Sequence, residues 1–164
     1  MTIEKIYWDS DCFLGFLQAE VGKVEKCEGV LERADRGEVL IITSALAIAE
    51  VLWMRNGPKL PKEKADFLSR FFRRSIFRVV DVTRKISESA QWHVWDSGIK
   101  PKDAIHVATA IHYGVSALET FDTALIGKSG VVGSPLLLIR QPQAASQIRM
   151  VLNPPSQPTD FTIN

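Results

Sequence analysis

Five acidic side chains stand where chemistry is possible: Asp9, Asp11, Glu50, Asp103 and Asp122. Carboxylates drawn from separate elements can converge on a divalent cation. Each also has a structural explanation. Asp9 ends an apolar strand pattern, residues 5–9 (KIYWD), and Ser10 and Asp11 behind it offer caps for the next helix. Asp103 falls in a first helical turn, where the exposed N–H groups and the helix dipole favour an acid. Asp122 follows the apolar ALETF and could cap a short helix over 123–126. Glu50 differs, because ALAIAEVLW places Leu46, Ala47, Trp53 and Met54 three and four residues from it. An ionised carboxylate on that surface costs several kcal/mol, roughly, unless it is paired or metal-bound.

The elements that must position these acids follow from periodicity. Short apolar runs at 5–9, 39–43 (VLIIT), 76–80 (IFRVV), 116–120 and 136–139 read as strands. Helical patterns cover 11–20, 23–36, 45–55, 61–74, 83–96 and 102–113. Ser44 offers a cap for 45–55, Pro101 suits a first helical position, and Gly37, Gly98 and Gly114 close helices. Strands alternating with helices predict an α/β domain with a mainly parallel sheet. Ligands of such sheets sit beyond the carboxyl ends of the strands, which is where Asp9 and Asp122 fall.

The 164 residues, 46% of them hydrophobic, suit one domain, with a net charge of +1 that by itself points to neither nucleic acid nor membrane. No run is long enough to span a bilayer. Cys12 and Cys27 have no CxxC spacing, and are read as reduced thiols of a cytoplasmic protein. The domain is expected over 1–140, with an extension over 141–164 that is irregular after 153, where prolines concentrate.

Four motifs carry a resemblance. IYWDSDCFLGFL resembles the opening of PIN domains, and ITSALAIAEVLW their second motif with Glu50 as the acid. PKDAIHVATAIHYG resembles the third, with Asp103, and LETFDTAL the last, with Thr120 and Asp122 as Thr-x-Asp. They occur in the family's order over about residues 3–139, and the nearest subgroup is the VapC-type toxins of bacterial toxin–antitoxin pairs. The resemblance implies a three-layer α/β/α sandwich, magnesium or manganese, and RNA cleavage. It also implies an antitoxin partner and a homodimer. Asp9, Glu50, Asp103 and Asp122 would be the catalytic metal ligands, with Asp11 a further candidate where many members carry Asn. Ser10, Thr120 and His106, one turn after Asp103, would support them. Bound metal would lower the pKa of a water and neutralise phosphoryl charge for in-line attack.

Residues 55–78 carry eight basic against two acidic side chains, a net +6 that leaves −5 for the rest. Arg55, Lys59, Lys62 and Lys64 are therefore candidates for the RNA backbone. Arg55 would lie roughly 16 Å from the start of its helix, so this loop reaches the acids by folding back or from a second subunit. The phenylalanines of 67–77 are expected to supply a dimer or antitoxin interface. Two alternatives stand beside the nuclease. Asp9-Ser10-Asp11 also resembles the nucleophile motif of haloacid-dehalogenase-type phosphatases, which leaves Glu50 unexplained. An inactive PIN scaffold that binds protein or RNA is the other.

Overall fold

The computed structural model describes residues 2–53 and 57–144. Five strands form one parallel sheet: β1 (Glu4–Trp8), β2 (Val39–Ser44), β3 (Phe77–Val80), β4 (Ala117–Glu119) and β5 (Ile139–Arg140), in the order β3-β2-β1-β4-β5. The helices are α1 (Ser10–Leu17), α2 (Val24–Asp35), α3 (Leu46–Glu50), α4 (Ala65–Phe72), α5 (Arg84–Ser97), α6 (Pro101–His112) and α7 (Thr123–Ile126).

A strand buried on both faces needs apolar side chains in succession, and β1 supplies them. Ile6 and Trp8 enter one core with Ile41 of β2, Phe13 of α1, Val30 of α2, and Phe71 and Phe72 of α4. Tyr7 enters the other with Ile42 of β2, Ile86 of α5, Val107 of α6 and Leu118 of β4. The sheet is thus the middle layer of an α/β/α sandwich, as the alternation of elements predicts. Because all strands run the same way, their carboxyl ends share one edge, where Asp9, Ser44 and Thr120 follow or close their strands.

Several boundaries differ from the sequence reading. The helix expected over 45–55 ends in the described residues at Glu50, followed by a turn. The Leu52 carbonyl accepts from Leu60 N–H at 3.0 Å, so the returning chain takes a group that a longer helix would use. Residues 61–74 split into a 3₁₀ turn (Lys62–Lys64) and α4. The last strand forms at Ile139–Arg140, not at 136–139. Leu137 N–H bonds the Val132 carbonyl and closes a loop, while Leu138 O and Arg140 O accept from Leu118 and Thr120 of the sheet. The expected irregular tail beyond 153 lies outside the described residues.

Candidate active site at the carboxyl edge of the sheet

Asp9 caps α1. Its Oδ1 accepts from Asp11 N–H at 3.0 Å and Cys12 N–H at 3.3 Å. Ser10 and Asp11, expected as the better-placed caps, instead lie inside the first turn. The chain leaves β1 so abruptly that the residue next to the strand is already the cap. Asp9 is 4% exposed. Burial, and then the charge of the neighbouring Asp11, push its carboxyl up to about 7; the His106 charge, the Thr120 hydroxyl and the Cys12 amide pull against this. Asp11 is itself buried.

Asp122 caps α7 in the same way, with Oδ1 accepting from Ala124 N–H at 2.8 Å and Leu125 N–H at 3.2 Å. The buried Thr120 hydroxyl accepts from Asp122 N–H at 3.0 Å and so fixes the turn out of β4. Asp103 sits in the first turn of α6, and burial followed by the charge of Asp122 raises its pKa. Glu50 raises it further, and His106 and Lys102 oppose. Asp103 and Asp122 line one cleft of about 100 Å³, together with Lys100 and Lys128.

Glu50 closes α3 with both oxygens engaged. Oε1 accepts from Lys102 Nζ at 2.6 Å and Oε2 lies 2.7 Å from His106 Nε2. Burial alone would raise Glu50, but the hydrogen bonds and charges of His106 and Lys102 win and hold it near about 2. On its other side His106 Nδ1 lies 2.7 Å from the Tyr7 hydroxyl, which accepts from Ser44 N–H at 3.0 Å. In a neutral His106, only the tautomer with Nε2–H can donate to the Glu50 carboxylate. Tyr7 then donates to Nδ1. Tyr7 and His106 are almost wholly enclosed, so this chain holds the Glu50 carboxylate from the core side.

Charge effects link some of the acids expected from sequence. Asp103 is tied to Asp122, Asp9 to Asp11, and His106 acts on Asp9, Glu50 and Asp103 alike. All the donors are carboxylate oxygens, which suits a hard divalent cation. Among the described residues, no group of three or more His, Cys, Asp or Glu side chains is spaced to enclose an ion. Magnesium is commonly held by one or two carboxylates together with waters and substrate phosphates, so an open arrangement fits it.

Three participants were missed in the sequence. Tyr7 had a signal, since a tyrosine in a strand buried on both faces needs a partner for its hydroxyl. Lys102 had another. A cation in the first turn of a helix opposes the dipole, and its pairing with Glu50 accounts for it. Glu119 is fully buried in β4, accepting from Trp8 Nε1 at 2.9 Å and facing Arg140 at 3.3 Å. A carboxylate within ALETF gave no means of telling an inward side chain from an outward one.

The basic loop is less informative. Lys59 lies 5.2 Å from the Trp53 ring centroid, Lys62 and Lys64 are exposed on the 3₁₀ turn, and Arg55 lies outside the described residues. Of the phenylalanines expected at an interface, Phe71, Phe72 and Phe77 belong to the chain's own core, where they pack on Phe13. Phe67 alone among them is exposed. Among the described residues no helix is long and apolar enough to cross a membrane.

Residues 6–129 match the family model of the PIN domain. No curated protein matches the chain. Among solved structures, the fold is similar to VapC20 of Mycobacterium tuberculosis, described as a sarcin–ricin loop cleaving toxin. The TM-score is 0.59 at 20% identity, over 77% of this chain and 96% of that one. It is also similar to a toxin–antitoxin complex from Klebsiella pneumoniae, with TM-score 0.59 at 18% identity, over 85% and 98%. A third likeness is to FitAB bound to a DNA fragment, with TM-score 0.57 at 16% identity, over 84% and 94%. These likenesses concern the fold alone, while the family match spans the segments that carry Asp9, Glu50, Asp103 and Asp122: the chain belongs to the PIN domain family.

Proposed function

We propose that this chain is a divalent-metal-dependent endoribonuclease and the toxin of a bacterial toxin–antitoxin pair. One observation carries the reading: a buried Asp9 stands on the edge of the sheet where Asp103 and Asp122 line one cleft, and burial and neighbouring acids raise Asp9 and Asp103 there. Such a set is short of positive charge, and a divalent cation supplies it. Asp9, Asp103 and Asp122 would hold the ion, one or two of them directly and the rest through its waters, with Asp11 and Glu50 as further donors. When bound, magnesium or manganese lowers the pKa of a coordinated water and neutralises phosphoryl charge.

The chain's own residues do the rest. Thr120 and the α7 amides orient Asp122, and the α1 amides orient Asp9. Tyr7 and His106 orient Glu50. Lys100 and Lys128 line the cleft beside Asp103 and Asp122, and can meet the phosphates of RNA. They stand beside the acids without the fold-back that Lys59, Lys62 and Lys64 require. Two of the similar structures are of a toxin–antitoxin complex and of FitAB on DNA, which favours an antitoxin partner here. A cytoplasmic homodimer, with a nuclease domain over 1–140 and a C-terminal extension over 141–164, completes the reading. Family membership leaves the phosphatase alternative without support.

The test is single-turnover cleavage of end-labelled RNA by the purified chain. Cleavage should require magnesium or manganese, stop with EDTA, and be lost in Asp9→Asn and Asp122→Asn. Undiminished cleavage in EDTA would exclude the metal mechanism. RNA binding with no cleavage under any divalent ion would favour the inactive scaffold.

A further inference from the structure

The two partners of Glu50 differ in one respect that matters for an entering cation. His106, on Oε2, is 1% exposed and held on its far side by Tyr7, so it stays where it is. Lys102, on Oε1, has a side chain 69% exposed, against 9% for Glu50 itself. It can swing into water with little loss of packing. Its ammonium also feels the charges of Asp103 and Asp11, so it sits within the field of the whole acidic set.

We propose that Lys102 is a tethered counter-cation: its ammonium occupies Glu50 in the metal-free chain, and must leave before Glu50 can ligate a divalent ion. This rests on the metal reading above. An ion bound to Glu50 at roughly 2.1 Å would lie next to an ammonium whose nitrogen is 2.6 Å from Oε1. Two cations cannot share one carboxylate oxygen at these distances without repelling each other. The exposed and flexible one is the one that yields. Lys102 is therefore a positioning residue that keeps Glu50 charged and ordered without metal, and it lowers metal affinity as a consequence.

The sign of one measurement separates this from a supporting role. Metal-stripped wild type, Lys102→Met, Lys102→Gln and Asp9→Asn are titrated with Mn²⁺ by calorimetry at constant ionic strength, with circular dichroism confirming the fold. Both Lys102 variants should bind Mn²⁺ more tightly, by about 1.5- to fivefold, the range of a largely exposed ion pair. Asp9→Asn should bind more weakly. Unchanged or weaker binding in folded Lys102 variants, with Asp9→Asn still weakened, would overturn the counter-cation and leave the metal reading intact. No Mn²⁺ binding by wild type would overturn both. A second readout needs no variant: in ¹⁵N-labelled wild type, the Lys102 ammonium resonance should move to a solvent-exposed lysine position as Mg²⁺ saturates. A resonance still hydrogen-bonded to Glu50 at saturation would overturn the proposal.

Discussion

Replacing Asp9 by Asn should make the metal-free protein more stable at neutral pH, although it removes a proposed metal ligand. Asn caps a helix as well as Asp does, so the hydrogen bonds to Asp11 and Cys12 amides persist while the buried charge goes. The Asp9 carboxyl stands near about 7 in the fold, against 3.8 unperturbed, through burial first and Asp11 second. One unit corresponds to about 1.36 kcal/mol, so the wild type loses on the order of 4 kcal/mol when this group ionises. The sign is set by which state ionises first. Below about pH 4 Asp9 is protonated in both states and its contribution is whole. As pH rises from about 4 to about 7 the unfolded chain ionises and the folded one does not, so stability falls. The gain in Asp9→Asn should therefore be near zero at pH 4 and greatest at pH 7.5–8. Relaxation around the buried pair reduces it to roughly 2–4 kcal/mol, or about 5–15 °C in Tm for a domain of this size. Thermal denaturation in EDTA across pH 4–8 measures it. Adding Mn²⁺ should raise the wild-type Tm and leave the variant nearly unmoved. A variant less stable than wild type, or a gain independent of pH, would show that Asp9 serves as a cap and not as a strained member of a cation site.

Other expectations can be checked alongside. Glu50→Gln should destabilise the metal-free fold at neutral pH, because Lys102 and His106 hold Glu50 near about 2. That loss should shrink as pH falls below the ordinary carboxylate range towards about 2, as urea titrations at successive pH values would reveal. Glu119→Ala should cost about 2–3 kcal/mol in denaturant unfolding, since it orphans the buried Trp8 indole N–H and leaves Arg140 with its longer contact to Glu4 at 3.8 Å. Replacing Lys59, Lys62 and Lys64 together by Ala should flatten the salt dependence of RNA binding to an Asp9→Asn background. The slope should change by about 2, at about 0.7 per phosphate contact. An unchanged slope would assign RNA binding to Lys100 and Lys128, whose own double variant should then flatten it.

The layered fold was legible because β-branched strands and capped helices alternate along the chain. Each adjacent apolar pair, such as Ile6 with Tyr7 or Ile41 with Ile42, declares a strand covered on both faces. The sites of Asp9 and Asp122 were legible for a related reason: a parallel sheet brings strand ends to one edge whatever the side chains in between. What escaped notice depended on partners distant in sequence. Lys102 meets Glu50 across 52 positions and Tyr7 meets His106 across 99, and no local pattern records such pairings. The end of α3 escaped because the Leu60 amide that takes the Leu52 carbonyl belongs to a returning loop. The inward turn of Phe71, Phe72 and Phe77, with Phe67 left exposed, escaped because helical spacing of phenylalanines shows that a face is apolar, not whether the chain's own sheet or a partner covers it.

The proposed sharing of one divalent ion by Asp9, Asp103 and Asp122 meets its sharpest check in anomalous diffraction from crystals equilibrated with Mn²⁺. A peak should appear among these three carboxylates, with oxygen ligands at about 2.1 Å and with Lys102 withdrawn from Glu50. A saturated crystal with no peak there, or with its manganese on unrelated surface carboxylates while Asp9 and Asp122 remain only helix caps, would contradict it.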